Sequence, residues 1–189
     1  MQFTALPESG HPLVRLRPIT AADVPVWFDY LSLPAVQEHT SWSPQASNEL
    51  DSYAAEHTPR TPSSPLRLAI AERAGGHMVG SIGFHTVSPE HRTAELAYDL
   101  SPAVWGQGIA SHLTRTLVEW AHGHVGLLRV QATALASNLR SMNVLERCGF
   151  EREGLLRSYR LVRGQPGDFW MFAHVVAPGT GLRRRVVSP

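Results

Sequence analysis

Cysteine is almost missing from this chain: among 189 residues only Cys148 carries a thiol, so no internal disulfide can form. That excludes a disulfide-built secreted scaffold and makes a reducing, cytoplasmic location the expectation. Neither sign of charge dominates. Seventeen Lys plus Arg stand against 16 Asp plus Glu, a formal charge of +1, which leaves no extended basic footprint for nucleic acid. No apolar run approaches the roughly 20 residues that cross a bilayer. The opening MQFTALPESGHPLVRL has no basic stretch followed by an apolar one, so no secretory leader is expected. Ten histidines are present, but none pairs with cysteine at zinc-binding spacing, and no metal is expected.

What remains is an ordinary globular composition, 43% hydrophobic and 17% charged, with enough length for one well-filled core. Residues 13–177 read as a single domain, preceded by an arm (1–12) and followed by a basic tail (178–189). Leu13 to Pro18 alternates as a first strand. Thr20 is placed to cap a helix through Ser32, and a second helical stretch is expected over 45–56. Residues 57–65, with three prolines, read as a loop. Strands are expected over 66–72, 77–87 and 92–100, the first two joined by Ala74-Gly75-Gly76. A helix over 108–122 buries Leu113, Leu117, Val118 and Ala121. A strand over 128–135 and a helix over 138–148, closed by Gly149, follow. Two last strands, 150–162 and 168–176, are expected to flank a turn at Gly164-Gln165-Pro166-Gly167. Early strands with later helix–strand alternation predict an α/β (α+β) fold, a mixed sheet with helices on both faces.

The chemistry concentrates at Trp105-Gly106-Gln107-Gly108-Ile109-Ala110, where a strand turns into a helix. Glycines there let backbone pass close to a ligand, and exposed amides at a helix start favour an anion such as a pyrophosphate. Ser111 stands where a dinucleotide fingerprint needs its third glycine, and no Gly-Lys-Ser/Thr occurs. About 30 residues on comes Asn138-Leu-Arg-Ser141-Met-Asn-Val-Leu-Glu-Arg-Cys-Gly149-Phe150. The ordered pair of motifs resembles the GNAT acetyltransferases, in the form seen in the ribosomal-protein N-terminal (Rim-type) branch. Leu16-Arg17-Pro18, Val79 to Gly83, Ala94 to Leu100 and Glu151 to Arg157 extend the resemblance to nearly the whole chain.

The resemblance implies transfer of an acetyl group from acetyl-CoA to a primary amine on a mostly antiparallel sheet with a splayed strand pair. The acceptor would be a protein N-terminus or a small amine. It places the pyrophosphate on the amides of Trp105, Gly106, Gln107, Gly108, Ile109 and Ala110. It lays pantetheine between the strands ending at Leu100 and Leu135, with a backbone amide near Tyr98 or Leu100 polarising the thioester carbonyl. Glu95 is the first candidate base, with Asp99 behind it; the strand's alternation also allows a solvent-facing Glu95. Ser141 is the candidate near the sulfur, and Asn138 either bonds pantetheine or caps its helix. Leu145 stands where many relatives carry a tyrosine acid. Glu38, His39 and Trp42 fall where the resembled fold places its acceptor cleft. A non-catalytic CoA-binding regulatory module is the alternative, and a homodimer is possible.

Overall fold

The computed structural model describes residues 6–54 and 63–176. The basic tail, the first five residues and most of the proline loop lie outside them. Seven strands form one sheet: β1 (Val14–Pro18), β2 (Leu66–Glu72), β3 (Met78–Ser88), β4 (Thr93–Leu100), β5 (Arg129–Leu135), β6 (Glu151–Val162) and β7 (Gln165–Val175). Their spatial order is β1-β2-β3-β4-β5-β7-β6, antiparallel except where β4 meets β5. Four helices accompany them: α1 (Val24–Leu31), α2 (Pro34–Gln37), α3 (Ile109–Trp120) and α4 (Leu139–Arg147).

β2 shows why helices cover both faces. Leu68 and Ile70 belong to the core that holds Leu113 and Leu117 of α3 and Met142 and Leu145 of α4, whereas Ala69 belongs to the one that holds Trp27 and Leu31 of α1. Successive side chains leave a strand on opposite sides, so one apolar run feeds two cores. The arm's described part is pinned rather than loose. Buried Ser9 donates to the Val14 carbonyl at 2.7 Å, and its own carbonyl meets His112 Nε2 of α3 at 2.9 Å. Burial pushes the nearby His11 imidazole down, helped by His112 and Arg73.

α1 starts at Val24 after a 3-10 turn over Ala21–Asp23, the short α2 was not expected, and two later elements also differ from the sequence reading. The expected helix at 45–56 is, as far as it is described, a 3-10 segment, Ser47–Tyr53. The final hairpin turns on Arg163-Gly164, both at positive φ, with Val162 paired to Gln165. A two-residue turn of that shape matches strand twist. Pro166 then belongs to β7, at a point where β5 has not yet joined it, so its missing N–H breaks no ladder. Among the described residues no helix is long and apolar enough to cross a membrane.

Candidate active site

The site exists because two strands part. β4 and β5 are paired only at Thr93–Arg129, Ala94–Val130 and Glu95–Gln131. Beyond Glu95 they diverge, and a cleft of about 960 Å³ opens between Leu96–Leu100 and Ala132–Leu135. Ser101 donates to Val79 on β3, so strand alternation turns the amides of Tyr98 and Leu100 away from β3 and into the gap. The Leu100 carbonyl is already taken by Trp105 Nε1 at 2.9 Å.

At one mouth of the cleft lies the glycine turn. Gly106 (φ +78°) and Gly108 (φ +75°) sit in the left-handed region, and a Cβ on either would meet open space. The backbone therefore faces a cavity at the start of α3, where unpaired amides and the helix dipole favour an anion. Trp105, Ile109 and Ala110 line this end, while Gln107 stands off the wall. Arg140 of α4 lies 4.8 Å over the Trp105 ring.

Along the cleft, Ser141 Oγ is 2.8 Å from the Tyr98 hydroxyl. Burial pushes the Tyr98 phenol well above its ordinary value, though its bond to Ser141 pulls the other way. Sequence reasoning placed Tyr98 here only through its backbone. Its hydroxyl completes a pair beside Leu145, the position where the resembled family often has tyrosine. Asn138 caps α4, its Oδ1 accepting from Ser141 N at 2.9 Å, and its Nδ2 donates to the His39 carbonyl at 2.9 Å.

Glu95 lies where the strands part and is only 7% exposed, so the solvent-facing alternative is overturned. Three groups from three strands converge on one oxygen, Oε1: Thr133 Oγ1 donates at 3.0 Å, Arg160 Nη2 donates at 3.2 Å, and His85 Nε2 lies 3.2 Å away. Burial lowers the His85 pKa. Glu95 opposes that shift, and Arg67 and Arg160 add to it. The His85 Nε2 faces Glu95, and its Nδ1 is buried with no hydrogen-bond partner among the described residues. His85 is aimed by a bulge: Phe84 pairs with Leu96 and Thr86 with Glu95, so His85 has no opposite residue. Neither His85 nor Arg160 was singled out from the sequence. Only the β3–β4 register and the β6–β7 hairpin bring them here.

Asp99, the second carboxylate, is consumed by structure. It accepts from Trp27 Nε1 at 3.2 Å and also from Tyr30, Ser81 and Arg67. Elsewhere on the cleft wall, Trp42 meets Trp27 (5.7 Å between rings) and Tyr53 (5.8 Å). His39 and Trp42 line the cleft, but Glu38 does not, its side chain being 71% exposed. The segment after α2 is tied down at two points, by Asn138 and by Arg163, which donates to the Gln37 carbonyl. Among the described residues no group of three or more His, Cys, Asp or Glu side chains comes together.

This arrangement has relatives. Uncharacterized N-acetyltransferase YoaA of Bacillus subtilis is 35% identical over 103 residues, 54% of this chain and 58% of that protein. N-alpha-acetyltransferase RimI of Mycobacterium tuberculosis is 31% identical over 128 residues, 65% of this chain and 70% of that one. The crystal structure of spermidine N-acetyltransferase from Vibrio cholerae with CoA and spermine superposes with a TM-score of 0.75 at 17% identity, covering 87% of this chain and 96% of that chain. A family model described as an acetyltransferase (GNAT) domain matches residues 14–151. That span runs from the first residue of β1 to the first of β6 and takes in the parted strands, the glycine turn and α4. The chain belongs to the GNAT acetyltransferase family.

Proposed function

We propose that the protein is an acetyl-CoA-dependent N-acetyltransferase that moves the acetyl group to a primary amine by direct attack in a ternary complex. The parting of β4 and β5 after Glu95 carries this reading, because it joins an anion cradle to a buried carboxylate through one continuous cleft. The residues fit the cofactor. The turn over 105–110 offers amides and room for the pyrophosphate. The amides of Tyr98 and Leu100 offer an extended arm a strand-like partner, and Asn138 has a second amide hydrogen for pantetheine. Bound acetyl-CoA supplies the activated thioester.

The remaining chemistry belongs to the chain. Glu95 Oε2, which takes part in none of the three contacts on Oε1, receives the proton lost by the amine, directly or through water. A free α-amino group, with a pKa near ~8, is partly neutral at pH 7 and needs only a modest base; a lysine amine near ~10.4 needs more. The backbone amide of Tyr98 or Leu100 steadies the carbonyl oxygen as the N–C bond forms. As the C–S bond breaks, the Tyr98–Ser141 hydroxyl pair hands a proton to the leaving thiolate. A cytoplasmic location and a possible homodimer complete the proposal.

Thiol release from acetyl-CoA over a panel of peptides, amino acids and amines tests it. Release with an acceptor and a steep loss in Glu95→Gln is the expected result. Stabilisation by acetyl-CoA without release from any amine would point instead to the binding-module reading.

A further inference from the structure

The charges around Glu95 form a pattern that the acetyl transfer itself does not require. Arg160 stands beside Glu95, so an anion and a cation face the same part of the cleft 3.2 Å apart. The Arg160 guanidinium lies 4.8 Å over the Tyr159 ring and 5.7 Å over that of Phe169, which fixes its plane. Its contact with Glu95 uses Nη2, and among the described residues no hydrogen bond falls on Nε or Nη1. Asp99 is paired with Arg67, and burial lowers the pKa of His85. Charge at the described acceptor end therefore cancels. A polycation would find no unpaired carboxylate among the described lining residues, whereas a zwitterion would extend the alternation of charge. The two ties over the segment after α2, from Asn138 and Arg163, favour a compact acceptor.

We propose that Arg160 is a specificity-determining residue that binds an acceptor carboxylate while Glu95 takes the neighbouring amine, making small α-amino carboxylates the preferred acceptors. This rests on the acetyltransferase reading above. A planar guanidinium that spends one Nη2 hydrogen on Glu95 keeps one edge that suits a second carboxylate bidentately. Removing that carboxylate from the acceptor leaves the remaining edge of Arg160 unmatched, and polar sites discriminate through such unmatched groups.

The experiment uses matched trios: L-phenylalanine, its amide and phenethylamine, and the corresponding acid, amide and amine built on methionine and on serine. A serine-initiated tripeptide and spermidine serve as outside comparisons. Thiol release from acetyl-CoA should give the acid a kcat/KM about tenfold or more above its matched amine in at least one trio. In Arg160→Met that ratio should fall toward one, with Arg160→Lys between. If Arg160→Met slows all acceptors in proportion, the arginine only positions Glu95 and the proposal is overturned. Preference for the tripeptide or spermidine in the unaltered protein overturns it as well. Binding is read separately as a thermal shift with CoA present. Amino acids that stabilise the protein more than their amines, in an Arg160-dependent way, without thiol release, would uphold the recognition and refute the transferase reading. Neither release nor stabilisation by any acid would overturn the proposal.

Discussion

Tyr98 and Ser141 share one short contact from two elements, β4 and α4, and this makes a specific kinetic expectation. Tyr98→Phe and Ser141→Ala should each lower kcat roughly 10- to 100-fold with a smaller change in KM for acetyl-CoA. The double variant should be little worse than either alone, because groups acting as one relay are not additive. Steady-state thiol release checks this; additive losses would separate the two hydroxyls. At this scale the sequence was legible unevenly. Ser141 and Asn138 could be found because the helix start is a local motif. The burial of Glu95 could not, since strand alternation says only which residues share a face. What covers that face comes from Arg160, 65 positions away, and from a bulge set by pairing between two strands.

α3 begins at a glycine whose conformation decides which test is clean. Gly108 is left-handed, so any side chain there strains the backbone by ~1–2 kcal/mol as well as filling the cradle. Ala110 lies in the first turn of α3 at ordinary helical geometry. Ala110→Glu should leave folding intact, since an acidic residue complements the positive end of a helix. It should weaken CoA binding at least tenfold by placing an anion where phosphates are expected. Calorimetric titration with CoA reads the result, and unchanged affinity would remove the turn from the cofactor site. Most elements could be read ahead from periodicity and glycine punctuation. The exceptions have different causes: the 3-10 segment Ser47–Tyr53 is held by buried Leu50, whereas β7 starts early because the tight turn falls at Arg163-Gly164 rather than across 164–167.

Across the molecule, three histidines carry the same titration sign. His11, His85 and His174 are all lowered, in each case chiefly by burial. They tie together distant parts. His11 packs edge-on to His112 of α3, and His174 Nδ1 on β7 meets His122 Nε2 just beyond α3 at 3.0 Å. A histidine lowered in the folded state binds fewer protons there than in the unfolded chain. Stability is therefore fully present above the ordinary value near 6.5 and falls as pH drops below it. Thermal denaturation from pH 7.5 to 5 should show Tm declining through the region below 6.5, with a shallower decline in His174→Gln. A flat Tm over that range would contradict the burial of all three. A second property appears only at this scale: every one of the 17 basic residues is arginine. A chain without lysine would offer a bound acetyl-CoA no side-chain amine.

The gap beside Glu95 also divides the sheet into four strands and three, held to each other by three residue pairs. Each lip beyond those pairs is a length of strand backbone with one side unanswered, and such edges invite pairing with other chains. A cofactor lying along the gap would cap both lips. Its cellular concentration would then govern how much of the protein resists self-association as well as how fast it turns over.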